Sequence, residues 1–240
     1  MEKLCYCCLL FWFIFVSLLT VQIKSDSPPM SDEKSKIQDG KLEGKISAEE
    51  KYKKLFQEHR GTQLNAVKTI TSFGSYEQKY KLVEIMLKQL FAVLNEAKTN
   101  VTEWKFLPGD PFPENETMQH AVSKIFENTA LFGDLVLRMP DIVHELYDRQ
   151  REWQMALTWG TGFCNESRIF EGANSKLLNL MAQEVNILPK DDNFINPYSA
   201  ESQREKEMMM ELNEAEIKKL KKKEKKKIKR GPRLSSHTEL

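Results

Sequence analysis

The chain has 240 residues, of which 40% are hydrophobic and 30% are charged, and its formal net charge at pH 7 is +1. That length suits a single domain with tails, and four cysteines are too few for a small extracellular module that disulfides hold together. The near-neutral total conceals an uneven distribution, because residues 218–233 carry eleven basic side chains and one acidic side chain, which leaves the rest of the chain acidic.

The first predicted element is an uninterrupted apolar segment, residues 4–19, behind a short charged start. It indicates a secretory signal peptide, residues 1–25, in which Ser25 provides the small residue at the cleavage position. An uncleaved membrane anchor is the alternative, because the apolar segment approaches the roughly 20 residues that cross a bilayer. The polar, proline-containing residues 24–29 favour cleavage, which leaves no stable membrane span.

A polar linker, residues 26–46, leads to a helical domain that we expect over residues 47–188. Ser47 and Ser75 are each followed three residues later by Glu or Gln, which is typical of the capping box at the start of a helix. Apolar residues at intervals of three and four then predict a helix after each serine. The second of these, over residues 80–97, is expected to be the most buried helix of the domain.

Prolines divide the second half of this domain. Three of them between residues 108 and 113 exclude regular structure in a long connection. A third helix is predicted over residues 116–139, where the apolar spacing is again helical. Pro140 ends it and suits the first turn of a fourth helix, over residues 141–159.

Two glycines, Gly160 and Gly162, are expected to form a turn after the fourth helix. A fifth helix, over residues 175–188, then completes the domain before Pro189. No segment alternates β-branched residues in the way that a strand requires. The sequence therefore predicts an all-α fold, a bundle-like domain of five helices.

The chain changes character after the domain. Residues 189–199 are a second linker, and residues 200–233 are a charged tail, acidic first and basic last, that is predicted to be partly helical. Acidic residues at the start and basic residues at the end complement the helix dipole. The pattern favours a solvated charged helix, because its apolar residues are too sparse for a true heptad seam; they are Leu212, Ile217, Leu220 and Ile228.

The basic run within this tail, residues 218–230, has a second interpretation as a nuclear import signal or a nucleic-acid arm. A nuclear regulatory protein is therefore the competing hypothesis. The acidic domain would repel phosphate, and no aromatic side chain lies within the run to stack on bases. No nucleic acid is expected as a partner, and an acidic protein or an anionic lipid headgroup suits the charge better.

The last seven residues, 234–240, form a flexible terminus that ends in His237, Thr238, Glu239 and Leu240. These four residues resemble the KDEL and HDEL retrieval signals, which a receptor reads at the extreme C-terminus. Together with a cleaved signal peptide they predict residence in the lumen of the endoplasmic reticulum (ER), with a KDEL-type receptor as a partner. Thr238 departs from the consensus, so partial secretion is also expected.

Three sequons make the chain a candidate glycoprotein. They begin at Asn100, Asn115 and Asn165, all in or beside predicted loops, where a glycan can be attached. Asn165 is the best of the three, because it follows the predicted glycine turn and precedes the last core helix.

No catalytic, cofactor-binding or metal-binding arrangement is predicted. His144 and Glu145 begin like an HExxH zinc motif, but Asp148 stands in place of the second histidine. Cys164 is the only cysteine that remains after signal cleavage. Three interpretations of this free thiol stay open, namely a buried apolar residue, an intermolecular disulfide and a reactive nucleophile, and the first is favoured.

Several short segments match one known family in sequence and in order along the chain. They are residues 126–130 (FENTA), 132–134 (FGD) with 136–138 (VLR), Pro140 followed by 142–144 (IVH), 159–160 (WG), 163–165 (FCN), 180–184 (LMAQE), 193–194 (NF) with 196–197 (NP), and 231–233 (GPR). In these segments the chain resembles the family of coiled-coil domain-containing protein 134. The resemblance covers roughly residues 50–240, and the glycan-bearing Phe-Cys-Asn-x-Ser/Thr element of that family matches residues 163–167 here.

The resemblance implies a non-enzymatic helper protein of the ER lumen. Members of the family are associated with the Hsp90-type chaperone of the ER, near the translocon and the oligosaccharyltransferase, and protect it from excess N-glycosylation and degradation. Some are described as secreted proteins that dampen growth-factor kinase signalling. On this basis we expect Asn165 to carry a glycan, the chaperone to be a partner, and no cofactor to be needed.

Overall fold

The computed structural model describes residues 47–228, so the predicted signal peptide, the linker before residue 47 and the predicted retrieval signal lie outside the described residues. Over the described residues the chain is all-α, as predicted, and contains no strand. Seven helices follow one another there: α1 (Ala48–Thr71), α2 (Tyr76–Glu103), α3 (Glu116–Arg138), α4 (Pro140–Tyr147), α5 (Arg151–Glu166), α6 (Ala173–Glu184) and α7 (Ala200–Ile228).

The predicted number of five helices is wrong. Six helices lie within residues 47–188, and α7 follows as a seventh in the charged tail. The predicted fourth helix is in fact two, because α4 ends at Tyr147 and α5 begins at Arg151. Gln150 lies between them with φ −111° and ψ 89°, outside the helical region, and neither Gly nor Pro marks this break in the sequence.

Both predicted capping boxes form. At α1, the Glu50 amide donates to the Ser47 hydroxyl at 3.1 Å, and the Ser47 amide donates to the Glu50 carboxylate at 3.3 Å. At α2, Ser75 and Gln78 exchange the equivalent two bonds, at 3.4 and 3.0 Å. Each box satisfies two backbone donors that would otherwise lack partners, and it fixes the residue at which the helix begins.

The core is organised around α3, which packs against α1, α2, α4, α5 and α6. Fourteen of the 23 residues of α3 are buried, against eight of the 28 residues of α2. The prediction that residues 80–97 form the most buried helix is therefore wrong. α2 presents one apolar stripe to the core, whereas α3 also buries Asn128, Thr129 and Asp134, which an apolar pattern does not reveal.

The predicted glycine turn is also wrong, because Gly160 and Gly162 lie inside α5. A Cβ atom added to Gly160 would lie 3.0 Å from Oγ1 of Thr129 in α3 and 3.6 Å from a methyl carbon of Leu94 in α2. The missing side chain therefore allows α5 to approach both helices closely. Gly162 is different, since a Cβ atom added there would meet nothing within 4 Å.

Substitutions at these two glycines are expected to have opposite effects. Gly162→Ala should raise the free energy of unfolding by about 0.5–1 kcal/mol, because glycine is the poorer residue in a helix interior. Gly160→Leu should lower it by about 1–3 kcal/mol, because the added side chain must displace its neighbours. Urea unfolding followed by circular dichroism measures both values. A destabilising Gly162→Ala would contradict the helical assignment of this segment.

Candidate functional site

The three sequons lie at or near the ends of helices. Asn165 is exposed in the last turn of α5. Asn115 is also exposed and caps α3, where its side-chain oxygen accepts a hydrogen bond from the Met118 amide at 3.1 Å. Asn100 is half-buried within the last turn of α2. The side chains of Asn165 and Asn115 are therefore open to a modifying enzyme, whereas that of Asn100 is partly covered.

Cys164 lies beside Asn165 but faces the interior. It is a free cysteine with none of its surface exposed. Burial raises the pKa of the thiol, because the thiolate would lose its hydration. A thiol that stays protonated and has no access to solvent does not act as a nucleophile, so the structure supports the interpretation of Cys164 as a buried apolar residue.

Two histidines lie within contact distance of acidic side chains. Nδ1 of His144 lies 3.2 Å from Asp148, and its Nε2 lies 3.5 Å from Glu184. His59 pairs with Glu127 at 3.1 Å, and this hydrogen bond raises the pKa of the imidazole. Over residues 47–228 no group of three or more His, Cys, Asp and Glu side chains is placed to hold a metal ion.

A buried cluster of charges is the feature that sequence reasoning missed. Both oxygens of Asp134 in α3 are engaged, one by Arg60 of α1 and the other by Arg138 at 2.6 Å. Only 3% of the Asp134 side chain is exposed, so water contributes little to the solvation of its charge. The guanidinium of Arg138 lies over the ring of Tyr198, 4.1 Å from its centroid. The spacing of Asp134 and Arg138 was a usable signal, but Arg60 is 74 residues away in sequence.

The segment predicted as a second linker, residues 189–199, packs against the domain and is called the strap below. At its first end the Asp191 amide donates to the side chain of Gln183 in α6 at 3.0 Å. At its other end the buried side chain of Asn196 donates to the carbonyl of Leu137 at 2.8 Å. The hydroxyl of Ser202 in α7 donates to the Asn196 carbonyl at 2.8 Å, so the strap also holds the first turn of α7.

Gln203 and Lys206 of α7 also donate to the Pro197 carbonyl of the strap, at 2.7 and 2.9 Å, and beyond these contacts α7 lies in solvent as far as residue 225. Every residue from 203 to 225 is exposed, with acidic side chains concentrated in the first part and basic side chains in the last. No helix among the described residues has the length and apolar character needed to cross a membrane. The exposed side chains include six large apolar ones, Met208, Met209, Met210, Leu212, Ile217 and Leu220.

Comparison with known proteins shows the family. A family model described as "ERK and JNK pathways, inhibitor" matches residues 38–235. Over 165 residues the chain is 41% identical to coiled-coil domain-containing protein 134 of Xenopus tropicalis, a match that covers 68% of this chain and 72% of that protein. The chain belongs to this family. Over 151 residues it is 42% identical to the coiled-coil domain-containing protein 134 of Mus musculus. This match covers 62% of this chain and 66% of the mouse protein.

The coiled-coil domain-containing protein 134 family is thus the one that the sequence segments resembled. The matched region spans about two thirds of the length of the mouse protein. No solved structure matches this chain. The description of the family as an inhibitor of the ERK and JNK pathways fits a role in the regulation of signalling through protein binding.

Proposed function

We propose that this chain is a non-enzymatic binding protein of the ER lumen. It associates there with an Hsp90-type chaperone, close to the translocon and the oligosaccharyltransferase, and limits the excess N-glycosylation and degradation of that chaperone. A KDEL-type receptor returns escaped molecules to the ER. The fraction that is secreted dampens growth-factor kinase signalling.

The observation that carries the proposal is the family match over residues 38–235, which includes the helical domain, the strap and α7 together. The description of the family as a pathway inhibitor supports the signalling part of the proposal. The exposed apolar side chains of α7 support a function in protein binding, because large apolar groups left in solvent often mark contact surfaces. The two predicted targeting signals support the compartment.

Affinity enrichment from ER lumen tests the partner. The full chain carries its tag directly after Ser25, because a tag at the C-terminus would mask the retrieval signal. The expected result is co-purification of an Hsp90-type chaperone with the tagged chain. In cells that lack this chain, the chaperone should carry additional glycans and therefore migrate more slowly on a gel. The matched control is the same tagged chain without residues 1–25. Recovery of nuclear proteins alone by the full chain would contradict the proposal.

The competing function is that of a nuclear regulatory protein that uses residues 218–230 as an import signal. The observation in its favour is that residues 218–225 of this basic run are exposed on α7, where an import receptor would reach them. Protease treatment of intact microsomes separates the two functions. A lumenal chain survives until detergent is added, whereas a nuclear chain is digested at once.

Asn165→Gln is expected to remove one glycan-sized step from the mobility of the protein on a gel. The reason is that Asn165 is exposed at the end of α5 and is followed by the Glu166-Ser167 that completes the sequon. Capture of the chaperone should be unchanged, because the side chain faces solvent. Endoglycosidase treatment before electrophoresis measures the step.

The control for this prediction is Ser167→Thr, which keeps the sequon and the hydroxyl. That hydroxyl donates to the Cys164 carbonyl at 2.8 Å, so Ser167→Ala would disturb the end of α5 as well as the sequon. The threonine variant should retain its glycan. A variant Asn165→Gln that migrates like the unsubstituted chain would show that Asn165 is unmodified, and loss of chaperone capture would place the glycan at the interface.

A further inference from the structure

Helix α7 carries an apolar stripe that the rest of the described chain leaves uncovered. Met210, Ile217 and Leu220 lie on one side of the helix, and they are 65%, 50% and 55% exposed. Asn213 completes the series 210, 213, 217 and 220, which is the alternating three- and four-residue step of a heptad repeat. Residues 203–225 are all exposed, so neither the domain nor the strap packs on this stripe.

The charge of α7 reverses along its length. Residues 201–217 carry six acidic and two basic side chains, whereas residues 218–225 carry six basic and one acidic. Two parallel copies of the helix would align halves of like charge, and two antiparallel copies align halves of opposite charge. We infer that α7 pairs in the antiparallel direction with α7 of a second copy of this chain.

The apolar stripe selects one register for this pair. When Met210 of one copy packs on Leu220 of the other, Ile217 of each copy faces Asn213 of its partner. The four layers then repeat about a twofold axis, which makes the contact closed and self-complementary. Two mixed Ile217–Asn213 layers between two apolar Met210–Leu220 layers give a weak association whose register is fixed.

The charged residues select the same register independently. Continuing outward from the apolar layers, Lys206 of one copy comes opposite Glu224 of the other. The ammonium of Lys206 donates to the Pro197 carbonyl of its own strap at 2.9 Å, and a second of its three hydrogens can serve the Glu224 carboxylate. Glu224 is the only acidic residue between 218 and 225, and Lys206 is one of two basic residues in the acidic half. This register therefore brings the acidic residue of the basic half opposite a basic residue of the acidic half. Beside the stripe, Glu207 lies opposite Lys221. Twofold symmetry forms each of these contacts twice, which gives four pairs of opposite charge.

Two like-charge contacts oppose the pairing. Near the twofold axis Glu214 faces Glu214 of the partner, and Glu216 faces Glu216 in the same way. Four attractive contacts outnumber these two, and the balance makes the association reversible and sensitive to salt. The pairing needs only two copies of this chain, so it does not depend on the compartment or the chaperone named under the proposed function.

Disulfide trapping in the full chain without its signal peptide tests the register. Met210→Cys and Leu220→Cys are prepared as separate variants, mixed and oxidised. The expected product is a crosslinked dimer that contains one copy of each variant, with little crosslinking when either variant is oxidised alone. Ala215→Cys, on the opposite side of the helix, is the matched control and should stay uncrosslinked. Native Cys164 is buried and does not interfere.

Sedimentation equilibrium measures the strength of the association and provides a test by charge exchange. Glu224→Lys should raise the dissociation constant about tenfold, because it converts two attractive contacts into repulsive ones. Adding Lys206→Glu to the same chain should restore the original value, since both contacts are then re-formed with reversed sign. Glu214→Gln should tighten the dimer.

Three results would overturn the inference. Self-crosslinking of Met210→Cys without its mixed partner would indicate parallel helices. A chain that remains monomeric at the highest concentration reached, at low salt, would show that no second copy occupies the stripe. The same monomer bound to phosphatidylserine vesicles, with Met210→Asp abolishing the binding, would assign the helix to an anionic membrane surface.

Discussion

Asp134→Ala is expected to lower the free energy of unfolding by about 3–5 kcal/mol, the largest loss that we predict for a single substitution of a charged residue. Asp134 is the one carboxylate that contacts both Arg60 and Arg138. Its removal leaves two guanidinium groups with little access to water and without an opposite charge. Urea unfolding monitored by circular dichroism gives the value.

Two controls separate the ion cluster from a general sensitivity to charge. Lys81→Ala breaks an exposed pair with Glu77, in which the side chains are 67% and 77% exposed, and should cost at most about 0.5 kcal/mol. The triple variant Asp134→Leu, Arg60→Met and Arg138→Leu should recover most of the stability, because it removes the charges together. An Asp134→Ala effect no larger than that of Lys81→Ala would show that the carboxylate does not hold the cluster.

Deletion of residues 237–240 is expected to move most of the protein from the cells into the medium. The reason is that the retrieval receptor reads the last residues of the chain and would have nothing to bind. Pulse–chase labelling followed by precipitation from cell lysate and medium gives the ratio. Appending two alanines after Leu240 should have the same effect, because the signal is then no longer terminal.

Restoring the consensus residue at position 238 is the matched control for this deletion. Thr238→Asp converts the terminus to His-Asp-Glu-Leu and should reduce any leakage of the intact protein. An unchanged ratio after the deletion would contradict retrieval as the means of residence, and it would leave attachment to a retained partner as the explanation.

Local features of the fold were predictable from the sequence, and contacts between distant residues were not. The starts of α1 and α2 followed from Ser47 and Ser75, because a capping box is complete within four residues. The absence of strand patterning likewise gave an all-α chain. The partner of Asp134 in α1 lies far away in sequence, and no local pattern indicates which of many arginines it meets.

The wrong predictions rest on features that the local sequence pattern does not contain. A pair of glycines two residues apart is typical of a turn, yet Gly160 serves the close approach of α5 to Thr129, which depends on a neighbouring helix. The break between α4 and α5 lies at residues 148–150, where no helix-breaking residue occurs. At the candidate sites, Cys164 is buried and Asn165 is exposed, and the segment that carries them is helical where a loop was predicted.

The contacts of the strap move the C-terminal limit of the packed domain beyond residue 188. Asn196 provides the hydrogen-bond donor for the Leu137 carbonyl, and Tyr198 covers Arg138, so both complete the surface of α3. A fragment that stops at residue 188, the sequence-based domain boundary, would uncover a guanidinium and a carbonyl that the intact chain shields. The packed part of the structure therefore extends to Ser202, so a fragment designed to keep these contacts ends there and not at residue 188, and the first turn of α7 belongs to the domain.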